Sequence, residues 1–106
     1  MRELSATEAA TLLQTEPDTT VLLDVREHPE IEAAPVPDAL HIPMGEIPAR
    51  LDEIDRAKTI ICLCHLGGRS AQVAAFLEAQ GYADVINLAG GTEAWSTSVD
   101  TSVPRY

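Results

Sequence analysis

Basic residues are scarce in this chain: 7 Lys and Arg stand against 17 Asp and Glu in 106 residues, a formal charge of −10. Nucleic acid is therefore not an expected partner, because phosphate recognition needs a basic face. The acidic excess suits solubility, or docking to a basic partner protein. Long hydrophobic runs are missing as well. No stretch approaches the roughly 20 apolar residues of a membrane span, and Met1-Arg2-Glu3-Leu4 carries no apolar signal core. The expectation is a cytoplasmic protein with no membrane contact. Cysteine is limited to Cys62 and Cys64, two positions apart, a poor disulfide framework with no second pair to complete a zinc site. Reduced thiols and no metal are expected. There is no internal repeat and no low-complexity tract. The length suits one domain over residues 1–106 with a single core. Its residues 96–106, polar and ending in Pro104-Arg105-Tyr106, read as a surface tail.

What the chain does have is an alternation of helix-like and strand-like segments. Ser5-Ala6-Thr7-Glu8 has capping-box spacing, predicting a first helix to about Gln14, closed off by Pro17. Val21-Leu22-Leu23-Asp24-Val25 reads as a strand apolar on both faces, followed by a short helix or turn over residues 27–34. Two prolines mark residues 34–37 as a loop, and Ala39 to Ile42 fits a short strand stopped by Pro43. Ile47, Leu51 and Ile54 predict a helix over 45–54. A strand over 59–63, a helix over 71–80, a strand over 85–88 and a short helix carrying Trp95 complete the series. Such an alternation implies an α/β fold with a largely parallel sheet and helices on both faces. Ligands in these sheets bind beyond the carboxyl ends of the central strands. Asp24-Val25-Arg26 and Cys64 both lie at such ends.

The most informative stretch is Cys64-His65-Leu66-Gly67-Gly68-Arg69-Ser70, which joins the buried-looking strand Thr59-Ile60-Ile61-Cys62-Leu63 to the helix ending before Gly81. A thiol there faces unpartnered backbone N–H groups and the positive end of a helix dipole. Both favour an anion. An ordinary cysteine is only a few per cent thiolate at neutral pH, and a hundredfold change in that ratio takes about 2.7 kcal/mol. One or two charge-assisted N–H bonds of about 1.5–3 kcal/mol each suffice. Gly67 and Gly68, without Cβ atoms, can reach the positive φ that turns successive amides into the loop.

Taken together, Leu23-Asp24-Val25-Arg26 with Glu30, His41-Ile42-Pro43, Cys64-x-x-Gly67-x-Arg69-Ser70, Gly81-Tyr82 and Gly90-Gly91-x-x-Ala94-Trp95 resemble a single-domain rhodanese, a sulfurtransferase. The resemblance spans most of the chain and rests on the order and spacing of the motifs. It implies a three-layer α/β fold with a five-stranded parallel sheet, no cofactor, and Cys64 as the residue that carries sulfur as a persulfide. Thiosulfate is then the expected kind of small sulfur-containing anion, with cyanide as acceptor in vitro and a thiol or sulfur-carrier protein in the cell. Residues 65–70, namely His65, Leu66, Gly67, Gly68, Arg69 and Ser70, would hold the persulfide. One departure is visible: Ala34-Pro35-Val36 stands where the family usually has Gly-His-Ile, so no role attaches here to the missing histidine.

Each neighbour of Cys64 also has a plainer reading. Arg69 attracts an anionic donor or pairs with a carboxylate and braces the loop. His65 takes part in donor binding or proton transfer, or is a solvated loop residue. Ser70 caps the following helix or faces the persulfide. Asp24, Arg26 and Glu30 form a structural ion network or support catalysis from beneath the loop. Cys62 reads as a small core residue rather than a redox partner, and Trp95 as an anchor of the last helix.

Two other functions compete for the same loop. Cysteine phosphatases and arsenate reductases also close a cysteine loop on arginine at a helix amino terminus, but they resemble one another in placing five residues between Cys and Arg. Only His65, Leu66, Gly67 and Gly68 intervene here, and the tighter ring of amides fits a sulfur atom better than a tetrahedral oxyanion. The second rival is a non-catalytic rhodanese-like module that binds a partner or senses oxidants through Cys64. The presence of the cysteine counts against it.

Overall fold

Apolar residues alternate sides along the strands, and that alternation builds two cores on one sheet. A computed structural model describes all residues, 1–106. Strands β1 (Arg2–Leu4), β2 (Thr20–Asp24), β3 (Leu40–His41), β4 (Thr59–Leu63) and β5 (Val85–Leu88) form a sheet in the order β1-β5-β4-β2-β3. All four pairings are parallel. Leu23, Ile60, Cys62 and Val85 face Val73, Ala74 and Leu77 of helix α3 (Gly68–Ala79). Leu22, Ile61, Leu63, Ile86 and Leu88 face the opposite way, against Ala6 and Ala9 of α1 (Ala6–Thr15) and Trp95 of α4 (Gly91–Ser98). The result is the three-layer α/β arrangement expected, with five parallel strands between two layers of helix.

Helix α1 starts at the predicted capping box. The Ser5 hydroxyl accepts from the Glu8 amide at 3.1 Å, and Glu8 accepts from the Ser5 amide at 2.9 Å. Helix α2 (His28–Ala33) occupies the segment expected to be a short helix or turn.

Three expectations need correction. The helix predicted over 45–54 is instead two 3-10 segments, Met44–Glu46 and Pro48–Glu53, with non-helical backbone at Arg50 (φ −124°, ψ 25°). Pro48 explains this: it has no N–H to continue a helix and its ring crowds the preceding turn. Strand β3 is only two residues long.

The third concerns residues 96–106, read as a surface tail. Helix α4 runs on through Ser98, the Ser96 hydroxyl donates to the Val103 carbonyl at 2.6 Å, and Val103 is buried in the Trp95 core. An aspartate turn at Asp100, which accepts from the Ser102 amide at 3.0 Å, doubles the chain back so that Val103 reaches that core. No helix is long and apolar enough to cross a membrane.

Candidate active site

Cys64 follows β4 directly, and α3 begins four residues later. The turn between them depends on Gly67, the α3 N-cap, whose φ is +111°. A Cβ there would meet no atom closer than 3.5 Å, so backbone conformation rather than space demands glycine. In this conformation the Gly67 N–H donates to Cys64 Sγ at 3.1 Å. Gly68 does not share the positive φ expected of it; it is the first residue of α3 and already helical.

The outward side of the loop is held by α4. The Thr92 amide donates to the Cys64 carbonyl at 2.8 Å and the Glu93 amide to the His65 carbonyl at 3.2 Å. These are first-turn amides with no partner inside their own helix. With the carbonyls engaged outward, amides of the loop are left for the sulfur. Gly91 permits the approach, since a Cβ there would sit well inside van der Waals contact with the carbonyl oxygens of His65 and Cys64.

Burial alone pushes the Cys64 thiol up, but the Ser70 hydroxyl and the amides of Ser70, Gly67 and Leu66 outweigh it and hold the thiol below its ordinary value. Cys62 has no such donors. Burial, reinforced by the charge of Cys64, pushes it up to about 12. The two free thiols are thus chemically unlike: one is prepared to ionise and the other is core.

Around the loop the charged residues are paired. Arg69 forms a two-pronged ion pair with Glu30 at 2.6 and 2.8 Å. Hydrogen bonding from Arg69 is the main reason the Glu30 carboxyl is lowered to about 2. Arg69 therefore adopts the bracing arrangement. Arg26 is fully buried, bonded to Asp24 at 2.8 to 3.2 Å and to the Ala34 carbonyl at 2.8 Å. Glu30 is not part of that Asp24–Arg26 pair directly; Tyr106 joins them. Its hydroxyl accepts from Arg26 at 3.0 Å and donates to Glu30 at 2.8 Å. The Tyr106 ring stacks on His65, while Leu66 is 65% exposed at the loop tip. The largest cavity, about 550 Å³, lies elsewhere, lined by α1, β2 and Trp95.

A cysteine in a ring of amides between a parallel strand and a helix is what the sequence motifs implied. The family profile of the rhodanese-like domain matches residues 5–98. This chain belongs to the rhodanese-like family. A relative named sulfurtransferase from Allochromatium vinosum is 42% identical over 79 residues, covering 74% of each chain. A thiosulfate sulfurtransferase GlpE from Pseudomonas syringae pv. syringae is 36% identical over 78 residues, again covering 74% of each. Among solved structures, a rhodanese-like domain protein from Staphylococcus aureus superposes with a TM-score of 0.81 at 34% identity, covering 90% of this chain and 91% of that one.

Three contributors to this rhodanese-like site escaped sequence reasoning. Gly91 stands in the sequence only as part of the Gly90-Gly91-x-x-Ala94-Trp95 motif, although it lets α4 meet the loop. Tyr106 falls within the segment expected to be a tail; its signal is being the one aromatic residue of residues 96–106. Asn87 is a lone polar residue in the strand Val85-Ile86-Asn87-Leu88, buried and bonded to Ser70.

Proposed function

We propose that this rhodanese-like domain is a sulfurtransferase that moves sulfane sulfur through a persulfide on Cys64. The observation that carries this reading is the set of loop amides aimed at Cys64 Sγ, those of Leu66, Gly67 and Ser70, with the Gly67 amide at 3.1 Å. These stabilise an anion where a thiol alone would be mostly protonated. The Cys64 thiolate attacks the outer sulfur of thiosulfate. A Cys64 S–S bond forms, the bond to the sulfonate sulfur breaks, and sulfite leaves with its electron pair.

The terminal sulfur keeps one negative charge, within reach of amides from residues 65–70. An acceptor thiolate, or cyanide in vitro, then attacks that sulfur and Cys64 departs as thiolate. The Arg69–Glu30 pair, with Asp24, Arg26 and Tyr106 behind it, fixes the helix start against the loop so that the donors are in place beforehand. The small anionic donor and a thiol or sulfur-carrier protein acceptor belong to the proposal, as does a reducing cytoplasm, which suits two free thiols.

Intact mass spectrometry of the reduced protein before and after thiosulfate tests the reading. A gain of one sulfur mapped to Cys64, released as thiocyanate by cyanide and absent in Cys64→Ser, is expected. Sulfur transfer surviving in Cys64→Ser would falsify it. Turnover of an aryl phosphate without sulfur loading would instead point to the phosphatase reading.

A further inference from the structure

Asn87 lies in β5 beneath the start of α3, 1% exposed, with its side chain on the Cys62 and Val85 side of the sheet. Its amide NH2 donates to the Glu3 carboxylate at 2.9 Å and to the Gly67 carbonyl at 3.2 Å. Both partners are acceptors only. They fix the orientation of the side chain, because a flip would set its oxygen against a carboxylate and a carbonyl. Asn87 Oδ1 is thereby turned to Ser70, whose Oγ is 2.6 Å away.

That distance matters because Ser70 has one hydroxyl proton and three acceptors in reach: Asn87 Oδ1 at 2.6 Å, Cys64 Sγ at 3.2 Å and the Gly67 carbonyl at 3.3 Å. Two oxygens at 2.6 Å need a proton between them, and the Asn87 oxygen has none. The proton therefore rests on the line from Ser70 to Asn87. A protonated Cys64 can then donate to the Ser70 oxygen, but a thiolate gains the hydroxyl only by drawing its proton off Asn87.

We propose that Asn87 competes with the Cys64 sulfur for the single hydroxyl proton of Ser70, leaving the thiolate only a share of that hydrogen bond and correspondingly more nucleophilic. This deepens the sulfurtransferase reading and rests on it for its purpose. A thiolate held by too many donors is abundant but sluggish, because nucleophilicity falls with basicity and the best attacking thiol ionises near ambient pH. The loop amides supply abundance, and Asn87 limits how far stabilisation goes. It is a positioning residue acting through Ser70.

The test is the pH dependence of Cys64 modification by methyl methanethiosulfonate, which reports the thiolate without needing sulfur transfer. In Asn87→Leu the freed Ser70 proton goes to the thiolate, the charged one of its two remaining acceptors, rather than to the Gly67 carbonyl. The apparent pKa should fall by about one unit, a tenfold gain in thiolate-to-thiol ratio, while the rate plateau at high pH falls about threefold. In a Ser70→Ala background the same substitution should change neither. Asn87→Ala, which cannot overpack the site, provides the second variant and should move both quantities the same way.

An unchanged or raised pKa, an unchanged or faster plateau, or the same shifts without the Ser70 hydroxyl overturns the proposal. A purely structural Asn87 would loosen the loop amides and raise the pKa in both backgrounds. Failure of the parent protein to take sulfur from thiosulfate or a persulfide would count against the sulfurtransferase reading, leaving these kinetics to stand or fall separately.

Discussion

The Tyr106 ring lies over the His65 imidazole, 4.1 Å between centroids and 16° from parallel. The same side chain bridges Arg26 and Glu30 through its hydroxyl, so one residue ties the loop tip to the two ion pairs behind it. Tyr106→Phe keeps the stack and removes the bridge, leaving a fully buried guanidinium with one fewer acceptor. It should lower stability in urea by about 1 kcal/mol with little change in KM for thiosulfate. Tyr106→Ala removes the stack as well and should also raise KM. Equal behaviour of the two variants would mean that the stack does not order His65.

The Arg69–Glu30 pair should make part of the stability acid-sensitive. Glu30 is lowered from 4.5 to about 2 in the folded chain, chiefly by hydrogen bonding from Arg69. A lowered carboxylate contributes stability above its unfolded value and loses it as pH falls through the folded one. The contribution is therefore complete above about pH 5 and fades toward about pH 2. Urea midpoints measured at about pH 5 and about pH 3 should differ less for Glu30→Gln than for the parent. The other lowered carboxyls at Glu8, Glu53, Asp84 and Glu93 remain in both proteins, so the difference between the two isolates Glu30.

The strands were legible because β2, β4 and β5 are short apolar runs buried on both faces, which composition alone reveals. Strand β1 was not: it is three residues at the sheet edge with two of them exposed, so burial leaves no pattern to read. The Cys64 loop was legible for a local reason, a cysteine between a strand and a helix with glycine three residues on. Two of the groups around it were not, because Tyr106 and Gly91 reach the loop from elsewhere in the chain. Such contacts depend on the turn at Asp100 and on the α4 approach, which no spacing encodes.

The two thiols should separate cleanly in a single experiment. Cys62 is buried and pushed up to about 12, so it stays protonated across the neutral range. Limited alkylation at about pH 8 should give one adduct, mapped to Cys64. Cys62→Ala should keep sulfur loading while losing about 1 kcal/mol of stability, roughly one buried group's worth of transfer energy. A second adduct on Cys62, or loss of loading in Cys62→Ala, would reopen a redox role for that residue.

Gly91 gives the sharpest stability test of the loop's outer wall. Its φ is +58°, and a Cβ there collides with backbone carbonyls of Cys64 and His65 rather than with a side chain able to move aside. Gly91→Ala must therefore push α4 away from the loop. That movement breaks the Thr92 and Glu93 amide bonds to those carbonyls and frees them to compete for the amides now serving the sulfur. A loss of more than about 2 kcal/mol is expected from strain and overpacking, with Cys64 thiol ionisation shifted upward in the protein that remains folded. Gly45→Ala, at a site where a Cβ meets nothing within 4 Å, should leave Cys64 ionisation unchanged. If Gly91→Ala unfolds more easily but its Cys64 ionises as before, α4 stabilises the fold without shaping the loop, and the amide arrangement must be set by Gly67 alone.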